Sequence, residues 1–274
     1  MSSGNVVAVL SGGGAKAAAH IGAVRALLES GMQPSRYIAT SMGAVVAAGF
    51  AAGLGPEAVL ERFVQAGAVG IARSRLAALG SLHLHALMRS APLRRAMERF
   101  IPARSFDDLR FPLTVTATDL DSGERVLFGA GGRDVPLADA LMASCALPLF
   151  YPPVLIAGRR MGDGGLRGVL PLELVPGDAG RVVAVDIGPG FDELEGGPSP
   201  YPSLLRAHSD ATGILMAANT ALELALWRAD PSRPVLYYVR PAVERNATFR
   251  VARASAYAEE GYRATRVVLG ITRA

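Results

Sequence analysis

The sequence predicts an α/β protein of three layers, with a mainly parallel central sheet between helices. Three observations carry this prediction. Over the first 54 residues short β-branched runs alternate with small-residue helical stretches, the order that builds a parallel sheet with helices on its faces. Half of the 274 residues are hydrophobic and 19% are charged, which suits one sizeable core and argues against long disorder. Neither an internal repeat nor a linker divides the chain, so residues 1–274 read as a single domain.

Each element has its own signal. Val6–Leu10 is a short apolar run bounded by Ser11-Gly12-Gly13-Gly14. Lys16–Ser30 has apolar residues at helical spacing and stops before Gly31, and Arg36–Thr40 and Met42–Ala52 repeat the strand–helix order. No strand is evident between residues 55 and 110. There Pro56–Ala66, Ile71–Leu79 and Leu84–Ile101 read as helices of an inserted cap, the last carrying Arg89, Arg94, Arg95 and Arg99. Strand signals return at Leu113–Thr118, Arg125–Phe128, Val154–Ala157, Val182–Ile187 and Val235–Val239. Helices are expected at Pro136–Cys145, Ser203–Arg228 and Ala252–Val268, with Gly188–Pro202 a Gly/Pro/acid-rich loop.

Composition excludes several functions. The single cysteine, Cys145, rules out an internal disulfide framework and a multi-Cys zinc site. Four histidines, His20, His83, His85 and His208, make an all-protein metal cage improbable, and the i,i+2 spacing of His83 and His85 does not share a helix face. No metal and no cofactor is expected. The net charge of +4 is mild and almost entirely arginine, Lys16 being the one lysine; this reads as codon bias, and no nucleic-acid partner is expected. The N-terminus lacks a signal-peptide pattern and no apolar run is long enough to span a bilayer, so the expectation is a cytoplasmic protein. The Arg-bearing cap helix is compatible with peripheral contact at an anionic membrane. Oligomeric state is not readable from the sequence.

Three segments carry candidate chemistry. Ser11-Gly12-Gly13-Gly14-Ala15-Lys16 lies between a strand and a helix. Its glycines turn tightly and leave N–H groups unshielded at a helix N-terminus, which suits a phosphate or a transient oxyanion. Gly12-x-Gly14-x-x-Ala17 also matches a loose dinucleotide fingerprint, but the second strand ends Ile38-Ala39-Thr40-Ser41 without the acid that reading needs. Ala39-Thr40-Ser41-Met42-Gly43 sits at the second strand-to-helix turn and has the form of a nucleophile elbow, although an isolated Ser-x-Gly is more often a plain N-cap. Adjacent parallel strands end side by side, so the glycine loop would lie beside Ser41. The third segment is Met161-Gly162-Asp163-Gly164-Gly165, an acid flanked by glycines; alone it reads as an Asp-Gly turn.

Together these motifs resemble the patatin-like phospholipases. Gly12 to Lys16, then Ser41-Met42-Gly43, then Asp163-Gly164-Gly165 follow that family's order and spacing. Thr116-Ala117-Thr118-Asp119-Leu120 with Gly123-Glu124, and Ala143-Ser144-Cys145-Ala146-Leu147-Pro148 continuing to Pro153, are similar to further family segments. The resemblance runs from about Val6 to Asp186. It implies a serine acyl-ester hydrolase of phospholipase A or lysophospholipase type, with a phospholipid or other acyl ester as substrate. It also implies Ser41 as nucleophile, Asp163 as general base and an oxyanion hole from Gly12, Gly13, Gly14 and Met42. Lys16, Gly43, Gly164 and Gly165 would support the motifs. The sequence departs from the family pattern at Ala39 and Ala17, where glycine is usual, and at Lys16, where arginine is commoner. Three rival readings are an α/β-hydrolase triad completed by His208, a non-catalytic lipid- or protein-binding module on the same scaffold, and a nucleotide-binding protein using the glycine loop.

Overall fold

The sheet is organised around β1 (Val6–Leu10), whose five residues are all buried. The computed structural model describes residues 5–72, 94–190, 203–244 and 250–271. On one side of β1 lies β2 (Pro34–Thr40) and on the other β7 (Arg181–Val185), both parallel to it. The eight strands run in the order β5-β6-β3-β2-β1-β7-β8, with β4 (Arg125–Gly129) also on β3. β3 (Leu113–Asp119) and β8 (Val235–Val239) extend the parallel core, while β4, β5 (Val154–Ile156) and β6 (Arg159–Asp163) pair antiparallel. The mainly parallel sheet of the sequence reading is therefore present, with an antiparallel margin.

Alternation along the strands makes two cores. Val6, Ala8 and Leu10 join Tyr37, Ala39, Val183 and Val185 on one face, under α1 (Ala18–Glu29), α2 (Met42–Ala51), α3 (Pro56–Ala72), α4 (Leu137–Ser144) and α6 (Ala254–Val268). Val7, Val9, Ile38, Val182 and Ala184 face the other way. There they meet Leu170, Leu172 and Val175 from the segment after β6, and Leu224 and Trp227 from the 27-residue helix α5 (Ser203–Ala229). Among the described residues, this second face has α5 as its one long covering helix.

Two glycines are dictated by close approach. A Cβ on Gly22 of α1 would lie 1.6 Å from the Ala258 carbonyl oxygen, and one on Gly261 of α6 would lie 1.9 Å from that of Ala19. The two helices thus touch backbone to backbone, and any side chain at either position would force them apart.

Within 55–110, α3 and a helical stretch over residues 94–100 pack on α2, where Phe100 and Val59 close over Gly49. Arg62 of α3 donates to the carbonyls of Arg99 and Phe100 at 3.3 and 3.0 Å, satisfying the end of that stretch. Most of the expected helix Ile71–Leu79, the first part of Leu84–Ile101, and with them His83, His85 and Arg89 lie outside the described residues. So does most of the loop expected at Gly188–Pro202. The sequence reading omitted β6: Arg159-Arg160-Met161-Gly162-Asp163 lacks β-branched residues, and pairing alone makes it a strand.

Candidate active site

The position of Ser41 and Asp163 follows from how β3 shares its edges. β4 occupies one edge of β3 from Thr114 to Thr118. On the other edge β2 pairs as far as Thr40↔Thr116, and β6 takes over at Asp163↔Ala117. β2 is parallel to β3 and β6 antiparallel, so the two strands run toward each other and stop at adjacent register positions. Ser41 is the residue after β2, and Asp163 is the last residue of β6. The abutting ends bring them together: Ser41 Oγ donates to Asp163 Oδ2 at 2.7 Å.

Ser41 holds the conformation expected of an elbow. Its φ of 53° and ψ of −134° lie in the left-handed half of the map, which a serine adopts only at a cost of about 1–3 kcal/mol. Three contacts hold it there. Its N–H donates to Ser144 Oγ at 2.7 Å, its carbonyl accepts the first helical bond of α2 from Ala44 at 2.8 Å, and its hydroxyl is on Asp163. Gly43 allows the turn to sit against β1, since a Cβ there would lie 2.3 Å from the Ser11 carbonyl oxygen. The residues that depart from the resembled pattern are accommodated. Ala39 is fully buried within β2, and Ala17 has φ −56° and ψ −17°, right-handed values that any residue adopts.

Asp163 is more enclosed than Ser41, at 5% against 9% exposure. Its Oδ1 accepts from the Gly165 N–H at 2.7 Å, its own N–H donates to Ala146 O at 3.0 Å, and Thr118 Oγ1 donates to its carbonyl at 2.9 Å. Gly164 must be glycine because a Cβ would meet Thr116 Oγ1 at 2.4 Å. Burial strips water from the carboxylate and pushes its pKa from 3.8 up to about 6, against the opposing pull of the Gly165 N–H and the Ser41 hydroxyl. Beneath the pair, Cys145 is buried, and its thiol is pushed up by burial and by the Asp163 charge, which leaves it protonated and inert.

The glycine loop lies next to the serine, with the Cβ position of Gly12 3.2 Å from that of Ser41. Its three glycines are not equivalent. The Gly12 N–H donates to Val169 O at 3.2 Å, so the expectation that Gly12 serves as an oxyanion donor does not hold: that hydrogen is committed to the segment after β6. Gly13 and Gly14 are partly exposed, and Gly14 has a φ of +62°. Lys16 is buried in the short 3-10 turn Gly14–Ala17 that leads into α1.

His20 is a packing residue. It is fully buried, and burial lowers its pKa to about 4, so the neutral ring donates through Nε2 to Ser11 O at 2.8 Å. Ser11 Oγ in turn accepts the Ile187 N–H at 2.8 Å, tying the loop to the end of β7. Asp186 accepts from Tyr238 Oη at 2.8 Å and pairs with Arg240 at 3.1 Å, and so closes the same strand end. Asp119 caps its own turn through the Asp121 N–H and pairs with Arg159. His208 lies on α5, where its carbonyl accepts from Thr212 at 2.8 Å; its imidazole makes no contact with Asp163 among the described residues. The sequence reading missed Ser144 and Val169 as positioning groups. Among the described residues no cluster of three or more metal-ligating side chains occurs, and no helix is long and apolar enough to cross a membrane.

A strained serine hydrogen-bonded to a buried carboxylate thus lies beside a glycine loop, at the carboxyl ends of parallel strands of an α/β scaffold. The patatin-like phospholipase family profile matches residues 8–176, and the chain belongs to that family. An uncharacterised NTE family protein of Mycobacterium tuberculosis is 33% identical over 188 residues, 68% of this chain and 50% of its own length. A second one from the same species is 28% identical over 283 residues, 95% of this chain and 46% of its own. A human omega-hydroxyceramide transacylase is 30% identical over 139 residues, half of this chain and a quarter of its own. The chain thus spans about half the length of the bacterial relatives it matches. Among solved structures, VipD from Legionella pneumophila superposes with a TM-score of 0.51 at 15% identity, covering 98% of this chain and 67% of that one, a likeness of fold.

Proposed function

We propose that the chain hydrolyses acyl esters of phospholipids or lysophospholipids through an acyl-Ser41 intermediate. The observation that carries this is the 2.7 Å hydrogen bond from Ser41 Oγ to a buried carboxylate. As Oγ attacks the ester carbonyl carbon, its proton passes to Asp163 Oδ2. The carbonyl oxygen becomes an oxyanion, for which the Gly13, Gly14 and Met42 N–H groups are the donors we assign. Collapse breaks the bond to the leaving alcohol, which takes the proton from Asp163. Water then attacks the acyl-serine, gives its proton to Asp163, and Ser41 leaves as the alcohol with that proton restored. A carboxylate whose pKa is raised to about 6 suits both halves of the cycle, since it gains basicity yet stays ionised near neutrality.

Hydrolysis of a fluorogenic ester chain-length series and of phospholipid vesicles by the native chain, Ser41→Ala and Asp163→Asn tests this. Activity in the native chain, reduced roughly 10³-fold or more in both folded variants, is the expected result. A fluorophosphonate probe would label Ser41 alone. Undiminished activity in Ser41→Ala, or an inert native chain that binds lipid, would overturn the reading in favour of another nucleophile or a binding module. Adding a lipid alcohol to the same assay separates transfer to an alcohol from transfer to water.

A further inference from the structure

α5 buries one side and leaves the other apolar. Leu224 and Trp227 enter the second core, while Ile214, Leu215, Leu222 and Leu226 are 53, 71, 58 and 62% exposed. Between them Ala211, Ala218, Ala221 and Ala225 are also exposed, and no charged residue interrupts this face between Asp210 and Arg228. A continuous exposed patch of this kind marks a contact surface.

The pattern along the face specifies what fits it. Ala211, Leu215, Ala218, Leu222, Ala225 and Ala229 recur at alternating steps of four and three, the spacing of a coiled-coil seam. In an antiparallel pair of such helices centred level with Thr220, Leu222 meets Ala218 of the second copy and Leu215 meets Ala225. Each large side chain faces a small one. Asp210 and Arg228 are both exposed and stand about five turns apart, so they lie on one flank of the seam. A two-fold axis through the centre carries Asp210 of one copy to Arg228 of the other, on the same flank and within one turn. Both ends of the interface are then matched in charge.

A membrane surface fits less well. The flank carries Asp210 as well as Arg206, held within 3.8 Å of each other, rather than the basic excess that binds anionic lipid. Alanines along the centre favour close approach of another helix over depth of insertion. We propose that two copies of this chain associate through α5 in an antiparallel, two-fold pair.

Light scattering on the native chain over a concentration series reads the mass directly, and a mass rising to twice that of the monomer is expected. Asp210→Arg and Arg228→Asp each set like charges across the interface and should shift the chain toward monomer. The double variant exchanges the two signs and should regain the dimer. Cys145 is the chain's one cysteine and is buried, so Ala218→Cys supplies a single accessible thiol that a short bismaleimide should join into a covalent dimer. A monomeric mass at every concentration, a dimer indifferent to Leu215→Asp and Leu222→Asp, or a monomer whose α5 thiol is protected only by added vesicles would overturn the proposal. The dimer assay uses no substrate, so its failure would leave the hydrolase reading untouched, and the reverse.

Discussion

The Ser41 N–H donates to the Ser144 Oγ at 2.7 Å, inside the protein and 103 residues away in sequence. This bond holds the strained turn together with the bond from Ser41 Oγ to Asp163. Removing the acceptor leaves a buried N–H unpaired, a loss of about 1–3 kcal/mol. Ser144→Ala should therefore lower the midpoint of thermal unfolding. Its effect on ester hydrolysis should fall on kcat with KM little changed, and steady-state kinetics of the folded variant would show that split.

The rate should depend on Asp163 being ionised. With its pKa raised to about 6 by burial, kcat/KM should rise with pH through about 6 and level off above it. A profile with its acid limb near 4 would mean that water reaches the carboxylate.

Two buried groups pull stability in opposite directions over the same pH range. Asp163 has a folded pKa above its unfolded value, so the folded state holds the proton more tightly, and stability falls as pH rises from about 4 to 6. His20 has a folded pKa of about 4, below its unfolded 6.5, so stability falls as pH drops through that window. Each effect is worth about 3 kcal/mol at its limit, and in the native chain they largely offset. In Asp163→Asn only the histidine term remains. That variant should be more stable than the native chain at pH 8 and should lose stability on acidification to pH 4, which denaturation curves at the two pH values would reveal.

Ala39 and Ala17 fit their backbones, so glycine at either position has nothing to relieve. Ala39→Gly and Ala17→Gly should each cost about 0.5–1 kcal/mol through added chain freedom, without raising turnover. A gain in rate with either change would show that the methyl groups obstruct the site.

Gly43 is the opposite case. A methyl there would sit 2.3 Å from the Ser11 carbonyl oxygen and 2.8 Å from that of Leu10, both backbone atoms that cannot turn aside. Gly43→Ala should displace α2 from β1, with soluble yield and circular dichroism falling together.

Much of this was legible in the chain. The strand–glycine–helix order placed the loop, and Ser41-Met42-Gly43 at a strand end placed the elbow, because both are local patterns. The pairing of Ser41 with Asp163 was reached only through resemblance, since it depends on β6, whose two arginines and glycine carry no strand signal. The assignment of Gly12 as a donor failed for a related reason. Its N–H is committed to Val169, a partner more than 150 residues away that no local pattern announces. Ser144 was visible as a residue of a motif, but its role lies in a hydrogen bond that the fold alone creates.

The abutment of β2 and β6 on one edge of β3 makes reading frame and reactivity a single property. Side chains alternate faces at each step along a strand. Dropping one residue from the β5–β6 hairpin while β6 keeps its pairing would draw Asp163 back to the position opposite Thr118, away from the end of β2, and turn its carboxylate to the opposite side of the sheet. Such a protein could keep both cores and most of its helices and still present Ser41 with an empty neighbour. Under the proposed mechanism, lengthening or shortening that hairpin is therefore a way to silence Ser41 without touching it, and the integrity of a five-residue strand decides whether a correctly folded chain can act.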